Sequence, residues 1–196
     1  ESLYKMMKEV FKLTDDDFKE YSDDIGFDKV ELPNNPVQLA QEHLDALREI
    51  VGEEGFSVSD YDRLSVAYGF TAYDILRLRH KIIDSVPDVV LYPDTTEQVE
   101  KIVAYATEHS IPLYVYGGGS SVTRGVEPVK GGISLDMRRR FNKVISFNEI
   151  DQTITVQAGM SGPDLEKTLQ NAPELFGAKR QYTCGHFPQS FEYSSV

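Results

Sequence analysis

Residues 87–119, PDVVLYPDTTEQVEKIVAYATEHSIPLYVYGGG, constrain the fold more than any other stretch of this chain. Pro87 precedes Asp88-Val89-Val90-Leu91-Tyr92, a short apolar run ended by Pro93, which reads as a strand. Thr95 and Gln98 stand at the N-cap and N3 spacing of a capping box. Val99, Ile102, Val103 and Ala106 follow at helical spacing, as one inward face. Pro112 restarts the chain, and Leu113, Val115 and Tyr116 form a second strand running into Gly117-Gly118-Gly119. The whole reads as a β-α-β unit with a glycine loop at the end of its second strand.

Three glycines in a row remove every Cβ from the loop, so the backbone can take positive φ and approach a ligand closely. Successive N–H groups there can form an anion-binding nest, and Ser120 and Ser121 add hydroxyl donors. Two better-known phosphate loops do not fit. A P-loop needs a lysine after its last glycine, and none lies between Tyr116 and Lys130. A dinucleotide G-x-G-x-x-G opens a helix after the first strand, whereas these glycines follow the second, and Ser120 to Gly125 does not look like a helix start. On these residues alone a phosphate nest and a plain tight turn stand level.

Downstream, Ile133-Ser134-Leu135-Asp136 is a further strand. Val144 to Phe147 and Thr153 to Ala158 read as a hairpin, with Ile154, Val156 and Ala158 on a buried face. Ser161 caps a helix with Pro163 and Asp164 in its first turn and Leu165 and Leu169 inward. Upstream, Leu3, Met6, Met7, Val10 and Phe11 mark one helix. Thr14 before Asp15-Asp16-Asp17 marks the start of a second. Residues 36–51 predict a third, with Pro36 in its first turn, Val37, Ala40, Leu44, Leu47 and Val51 inward, and Gly52 and Gly55 ending it. The class is α+β, with a helical segment ahead of the β-α-β unit and hairpin.

Charge divides the chain. Residues 1–62 hold 17 acidic and 6 basic residues, and residues 63–196 hold 15 and 14, out of a total net charge of -12. The reading is an acidic helical segment at 1–62, a connecting segment at 63–86 and a ligand-binding domain at 87–196. Such a charge repels nucleic acid and anionic membrane, so a bound anion needs a local site. A single cysteine, Cys184, makes an internal disulfide impossible. No apolar run reaches the length of a membrane span, and no signal-peptide core opens the chain. The first residue is Glu1, so a start further upstream stays open.

The order of the pieces resembles the opening of the FAD-binding domain of the vanillyl-alcohol oxidase and p-cresol methylhydroxylase type. The PD-x-V-x-x-P strand, the E-x-V helix, the I-P strand and the G-G-G-[ST]-S loop come in that sequence. The likeness extends to ISLDM, TVQAGMSGPDLEKTL and YTCGHFPQSFEYSSV, and back to RLSVAYGFTAYDILRLR at 63–79. The G-H-x-P-x-S-x-E-[FY]-S-[ST] stretch, Gly185 to Ser195, is most similar to the alkyldihydroxyacetonephosphate synthases and their bacterial FAD-linked oxidase relatives. Phe187 and Gln189 stand where the synthase pattern has Glu and Asp, which favours the oxidases.

The resemblance implies FAD as cofactor, with its pyrophosphate at Val115, Tyr116, Gly117, Gly118, Gly119, Ser120 and Ser121, and Val122 alongside. It implies a second contact region at Pro188, Gln189, Ser190, Phe191, Glu192, Tyr193, Ser194 and Ser195. No histidine lies between residues 110 and 185, so the FAD is expected to be held non-covalently. The chain stops at Val196, inside the motif, and reads as the N-terminal part of a longer FAD-dependent oxidoreductase whose small-molecule substrate binds a cap domain elsewhere. The alternatives are an alkyldihydroxyacetonephosphate synthase, or a non-catalytic module whose acidic helices dock a partner or a second copy of the chain. A cytoplasmic home is expected for an oxidase and a peroxisomal one for a eukaryotic synthase.

Other residues carry less. His186 is the candidate for approach to flavin or substrate, against a histidine satisfied in a buried turn. Cys184 reads as a small buried residue rather than a nucleophile. His43, His80 and His109 show no metal-ligand spacing. Arg138-Arg139-Arg140 reads as a solvated loop rather than a phosphate contact. Arg63, Arg77 and Arg79 match family positions, with no physical role beyond pairing with acids such as Asp74.

Overall fold

The structure, a computed structural model, describes residues 2–18 and 29–184. In chain order the regular elements are α1 (Ser2–Phe11), α2 (Gln41–Val51), β1 (Phe56–Ser57), α3 (Asp60–Ser65), α4 (Ala72–Arg79) and β2 (Val89–Leu91). There follow α5 (Thr96–Glu108), β3 (Leu113–Tyr116), β4 (Ile133–Asp136), β5 (Val144–Asn148), β6 (Thr153–Val156), α6 (Gly162–Gln170) and α7 (Ala172–Phe176). Single 3-10 turns span Asp16–Phe18 and Glu53–Gly55.

Four strands form one sheet in the order β1-β2-β4-β3. β2, β4 and β3 run parallel, and β1 pairs antiparallel with β2. The expected β-α-β unit is present, but β2 and β3 are not neighbours, because β4 inserts between them. β4 is buried along its length, as a strand flanked on both sides must be. Its alternation fixes the two faces of the sheet. Ile133 and Leu135 join Val89, Leu91 and Ile102 in a core roofed by α2 and α5. On the other face Val90, Tyr92 and Tyr116 pack with Val66.

α2 belongs to that core: Leu44, Leu47 and Val51 sit in it, and Gly52 ends the helix with φ 74°. The helix begins at Gln41, five residues later than the sequence predicts. The cause is tertiary. The Gln38 N–H is taken by the Asp88 carboxylate at 2.7 Å, so Pro36 to Ala40 approach the helix as extended chain, with Val37 and Leu39 packed on the core. Arg63 and Asp60 clamp the segment before it. Arg63 donates to the carbonyls of Asn35 (2.8 Å) and Pro87 (2.7 Å), and Asp60 accepts from the Leu32 N–H (2.9 Å). Its part is thus wider than the acid pairing expected of it.

α1 forms as predicted, yet Leu3, Met6, Val10 and Phe11 remain exposed. Among the described residues Thr14 accepts no capping bond: it donates its N–H (2.6 Å) and its hydroxyl (2.8 Å) to the Asp17 carboxylate of the 3-10 turn, and the helix expected to follow falls on residues outside those described. The α5 start is a variant of the capping box. Thr95 Oγ1 accepts from the Gln98 N–H, but Gln98 reaches back to the Asp94 N–H (2.7 Å) instead of that of Thr95. Val103 is 44% exposed, because the inward face is centred on Ile102 and Ala106 and Val103 is turned off it. Ala158 is exposed too, beyond the end of β6.

β5 and β6 form the expected hairpin, with a register shift between Val144 and Ser146. It packs on α6, whose Ser161 cap, Pro163, Leu165 and Leu169 fall as the sequence predicts. β1, α3, α4 and α7 were not read from the sequence. Each is eight residues or shorter, too brief for periodicity to register.

Candidate functional site

The carboxyl ends of parallel strands are where open α/β sheets place their ligands, because the connecting loops part there. At that edge β3 and β4 lie side by side, with Tyr116 opposite Asp136 and the Met137 N–H on the Tyr116 carbonyl (3.0 Å). The glycine loop leaves β3 here, and the turn Arg138-Arg139-Arg140 leaves β4 beside it.

The loop does not expose all its residues alike. Tyr116 is 3% exposed, so its side chain is a support rather than a surface contact. Its phenol lies beneath Gly119, which takes a left-handed backbone at φ 72°, and a Cβ there would land on the phenol oxygen. Burial pushes the Tyr116 phenol above its ordinary pKa, so it stays protonated and donates to the Tyr68 carbonyl at 3.4 Å. Ser120 is exposed, as are Val115 and Val122. Ser121 is turned into the fold: its carbonyl accepts from the Phe70 N–H (3.3 Å) and its hydroxyl from the Gly125 N–H (3.1 Å). Gly69 lies so close that a Cβ on it would strike the Ser121 carbonyl. Among the described residues, the N–H groups of Gly117, Gly119 and Ser120 donate to no backbone carbonyl. Gly119 is itself buried, so the half-buried Gly117 and the exposed Ser120 are the ones placed to offer an N–H to an acceptor-only ligand such as a phosphate oxygen.

Beyond the glycines the loop is tied down by a buried charge cluster. Glu127, 4% exposed, accepts from Arg77 (2.9 Å) and Arg124 (2.6 Å). Arg77 also pairs with Asp84 (2.6 Å), faces Asp74 at 3.6 Å and stacks on the Tyr68 ring at 4.4 Å. Its partners therefore include Asp84 and an acid 50 residues away, Glu127, besides the neighbouring Asp74 that the sequence suggests. Only the folded chain brings Glu127 to it.

The arginine turn is less free than a solvated loop. Arg138 bonds Asp136 through Nε (3.0 Å) and Nη2 (2.7 Å), and stacks over Tyr116 at 4.5 Å. Arg139 stacks over Tyr92 at 4.8 Å, and Arg140 and Lys143 pair with Asp94 at 3.7 and 2.7 Å. A cleft of about 470 Å³, lined mainly by apolar side chains such as Leu64, Tyr68, Phe70 and Ile75, opens on the other side of Tyr116.

The remaining candidates separate. Pro188, Gln189, Ser190, Phe191, Glu192, Tyr193, Ser194, Ser195 and His186 lie outside the described residues. Cys184 is half-buried, and burial and the Glu166 carboxylate both push its thiol up, away from nucleophile chemistry. His43 and His109 do meet, with ring centres 5.0 Å apart against Tyr105, but no cluster of three metal-ligating side chains occurs among the described residues. No described helix is long and apolar enough to cross a membrane.

The chain is similar to known proteins in sequence and in fold. The alkyldihydroxyacetonephosphate synthase of Dictyostelium discoideum is 33% identical over 137 residues, 68% of this chain and 21% of that protein. The mitochondrial D-lactate dehydrogenase [cytochrome] 1 of Saccharomyces cerevisiae is 28% identical over 78% of this chain and 26% of its own length. The chain thus spans about a quarter of the length of these curated relatives. A solved alkyldihydroxyacetonephosphate synthase superposes with a TM-score of 0.74 at 28% identity, over 85% of this chain and 30% of that one. Substrate-bound p-cresol methylhydroxylase superposes with a TM-score of 0.56 at 17% identity over 70% of this chain and 26% of its own, a likeness of fold alone. The model of the FAD binding domain family matches residues 87–196, more than half of the chain. With the family model matching more than half of the chain, the chain belongs to the FAD binding domain family, with the α+β fold of the p-cresol methylhydroxylase type and FAD as its cofactor.

Proposed function

We propose that the loop Gly117–Ser121 holds the diphosphate of FAD, and that the intact protein is a FAD-dependent oxidoreductase. The observation that carries this reading is the position of the loop, at the carboxyl edge of β3, with the N–H groups of Gly117 and Ser120 donating to no backbone carbonyl among the described residues. The donors suit the ligand, since diphosphate oxygens only accept hydrogen bonds. Tyr116 and Gly69 hold the loop from beneath, and Glu127 anchors its far half, so the donors are fixed before the ligand arrives. Val115 and Val122 flank the site, and Pro188 to Ser195 are the second stretch of sequence we assign to cofactor contact. With no histidine in the loop, the hold is non-covalent. Bound FAD supplies the redox chemistry, and the chain supplies binding, orientation and exclusion of water.

Two readings of the activity compete. The D-lactate dehydrogenase relative and the residues Phe187 and Gln189 favour dehydrogenation of a small 2-hydroxy acid. The 33% identity to an alkyldihydroxyacetonephosphate synthase favours alkyl exchange on a phosphorylated ketone ester. The flavin absorbance of the intact protein separates them. Loss of the visible band on adding a 2-hydroxy acid supports the dehydrogenase. A steady band with alkyl exchange supports the synthase. A cytoplasmic location goes with the first and a peroxisomal one with the second. Whether two copies pair is answered by the sedimentation of the intact protein.

The loop assignment has its own test. Gly118→Asp places bulk and like charge where the diphosphate lies, so the variant is expected to purify without flavin. A yellow, folded G118D protein refutes the assignment.

A further inference from the structure

We propose that Arg138 is the counter-charge to the cofactor diphosphate, a binding residue that the three-arginine turn conceals. The inference rests on the loop reading above and adds a residue from a different strand.

A diphosphate brings two negative charges to a protein whose net charge is -12. Between Tyr116 and Lys130 the one cation is Arg124, which is paired with Glu127 as Arg138 is with Asp136 but sits three residues past Ser121, near the Tyr73 ring and not that of Tyr116. The glycines themselves therefore offer dipoles and no charge. Worse, the neighbouring strand ends in Asp136, buried opposite Tyr116 and one strand away from the first glycine. An uncompensated carboxylate there would repel the ligand.

Arg138 answers both problems by its place. It is two residues past Asp136 and spends Nε and Nη2 on that carboxylate, and the Asp136 side chain also takes its own backbone N–H at 3.0 Å. A guanidinium has five N–H donors, so those of Nη1 and the second of Nη2 carry no described partner. The side chain remains 41% exposed. Its guanidinium carbon lies 4.5 Å from the centre of the Tyr116 ring, the same ring whose phenol underlies Gly119. One aromatic side chain thus bears the arginine on its face and the loop at its tip. The other two arginines do not compete for the role: Arg139 stacks over Tyr92, and Arg140 is paired with Asp94.

Titration of the intact, flavin-stripped protein with FAD, followed by flavin fluorescence, tests the assignment. Arg138→Gln is expected to weaken FAD binding by about tenfold to a hundredfold, the range for a lost charged hydrogen bond. Because R138Q also takes the partner from the buried Asp136 carboxylate, the thermal midpoint of the flavin-free protein is expected to fall, and affinity is read well below that midpoint on folded protein. Arg138→Lys, which keeps charge but not the fork, should recover part of the loss, and Asp136→Asn added to R138Q should recover part by removing the exposed repulsion. ADP, which carries the diphosphate without the flavin, should show the same loss in a competition assay. Should R138Q fold poorly, R138K and the steepness of salt weakening in the native protein carry the test, since a charge contact makes binding weaker in salt. Native FAD affinity in R138Q, with G118D unable to bind, overturns the role of Arg138 and leaves the loop standing. FAD binding by G118D overturns both.

Discussion

α1 and α2 come from the same acidic stretch and carry similar apolar stripes, yet they ended differently. α2 lays Leu44, Leu47 and Val51 on the sheet and is flanked by a clamped approach segment and by β1, which pairs with β2. α1 leaves Leu3 and Phe11 about two-thirds exposed. Among the described residues its side-chain ties are to Asp15, which accepts from Lys8 (2.5 Å) and Tyr4 (2.7 Å). An amphipathic pattern makes a helix possible, but most helical stability in a protein comes from what the apolar face meets. α2 met a parallel sheet that needed a cover on that face.

The difference can be broken at its strongest point first. Leu47 is fully buried, and Leu47→Ala should cost about 2–5 kcal/mol, read as a lower denaturant midpoint. A cost near that of a surface change would show that α2 is no more embedded than α1. Next comes the clamp. Arg63→Met strips the donors from the carbonyls of Asn35 and Pro87 and should cost about 1–3 kcal/mol by the same measurement. It should also raise amide exchange in α2 while leaving α1 as it was. Equal changes in both helices would contradict that.

The tie of α1 is sensitive to acid. Hydrogen bonds from Lys8 and then Tyr4 hold the Asp15 carboxyl below its ordinary pKa. A group lowered in the folded state contributes above its unfolded pKa, and the contribution fades as pH falls through the folded value. The protection of α1 amides, taken relative to the intrinsic exchange rate at each pH, should therefore fall on acidification into the range below ordinary carboxylates, and Asp15→Asn should abolish that dependence. An α1 whose protection ignores pH there would point to another anchor. The smallest effect is expected from Leu3→Ala, within about 0.5 kcal/mol, as for exposed positions generally. A large loss would mean that the α1 stripe is covered in solution.

The functional half was legible where chemistry is local. The Thr95 and Ser161 caps, the inward leucines of α6, and the glycine loop at the end of a strand all depend on residues within a few positions of one another. Periodicity and capping preferences report on those distances. The late start of α2 at Gln41 has a distant cause, the Asp88 carboxylate 50 residues away from Gln38. Arg77 shows the same thing at the site: its sequence neighbour Asp74 was foreseeable, but Glu127 was not.

By itself the sequence determined the parts: a β-α-β unit, a hairpin, a capped helix, and a loop stripped of Cβ atoms after β3. It also carried the likeness that named FAD. The tertiary structure decided that β4 inserts between β2 and β3, which brings the Arg138 turn beside the glycine loop and sets Tyr116 under both. The physical reason is that strand order follows from which apolar faces can be buried together, a property of the whole sheet and its roof. No window along the chain contains that choice, so the neighbours of the loop could be known only once the sheet had closed around them.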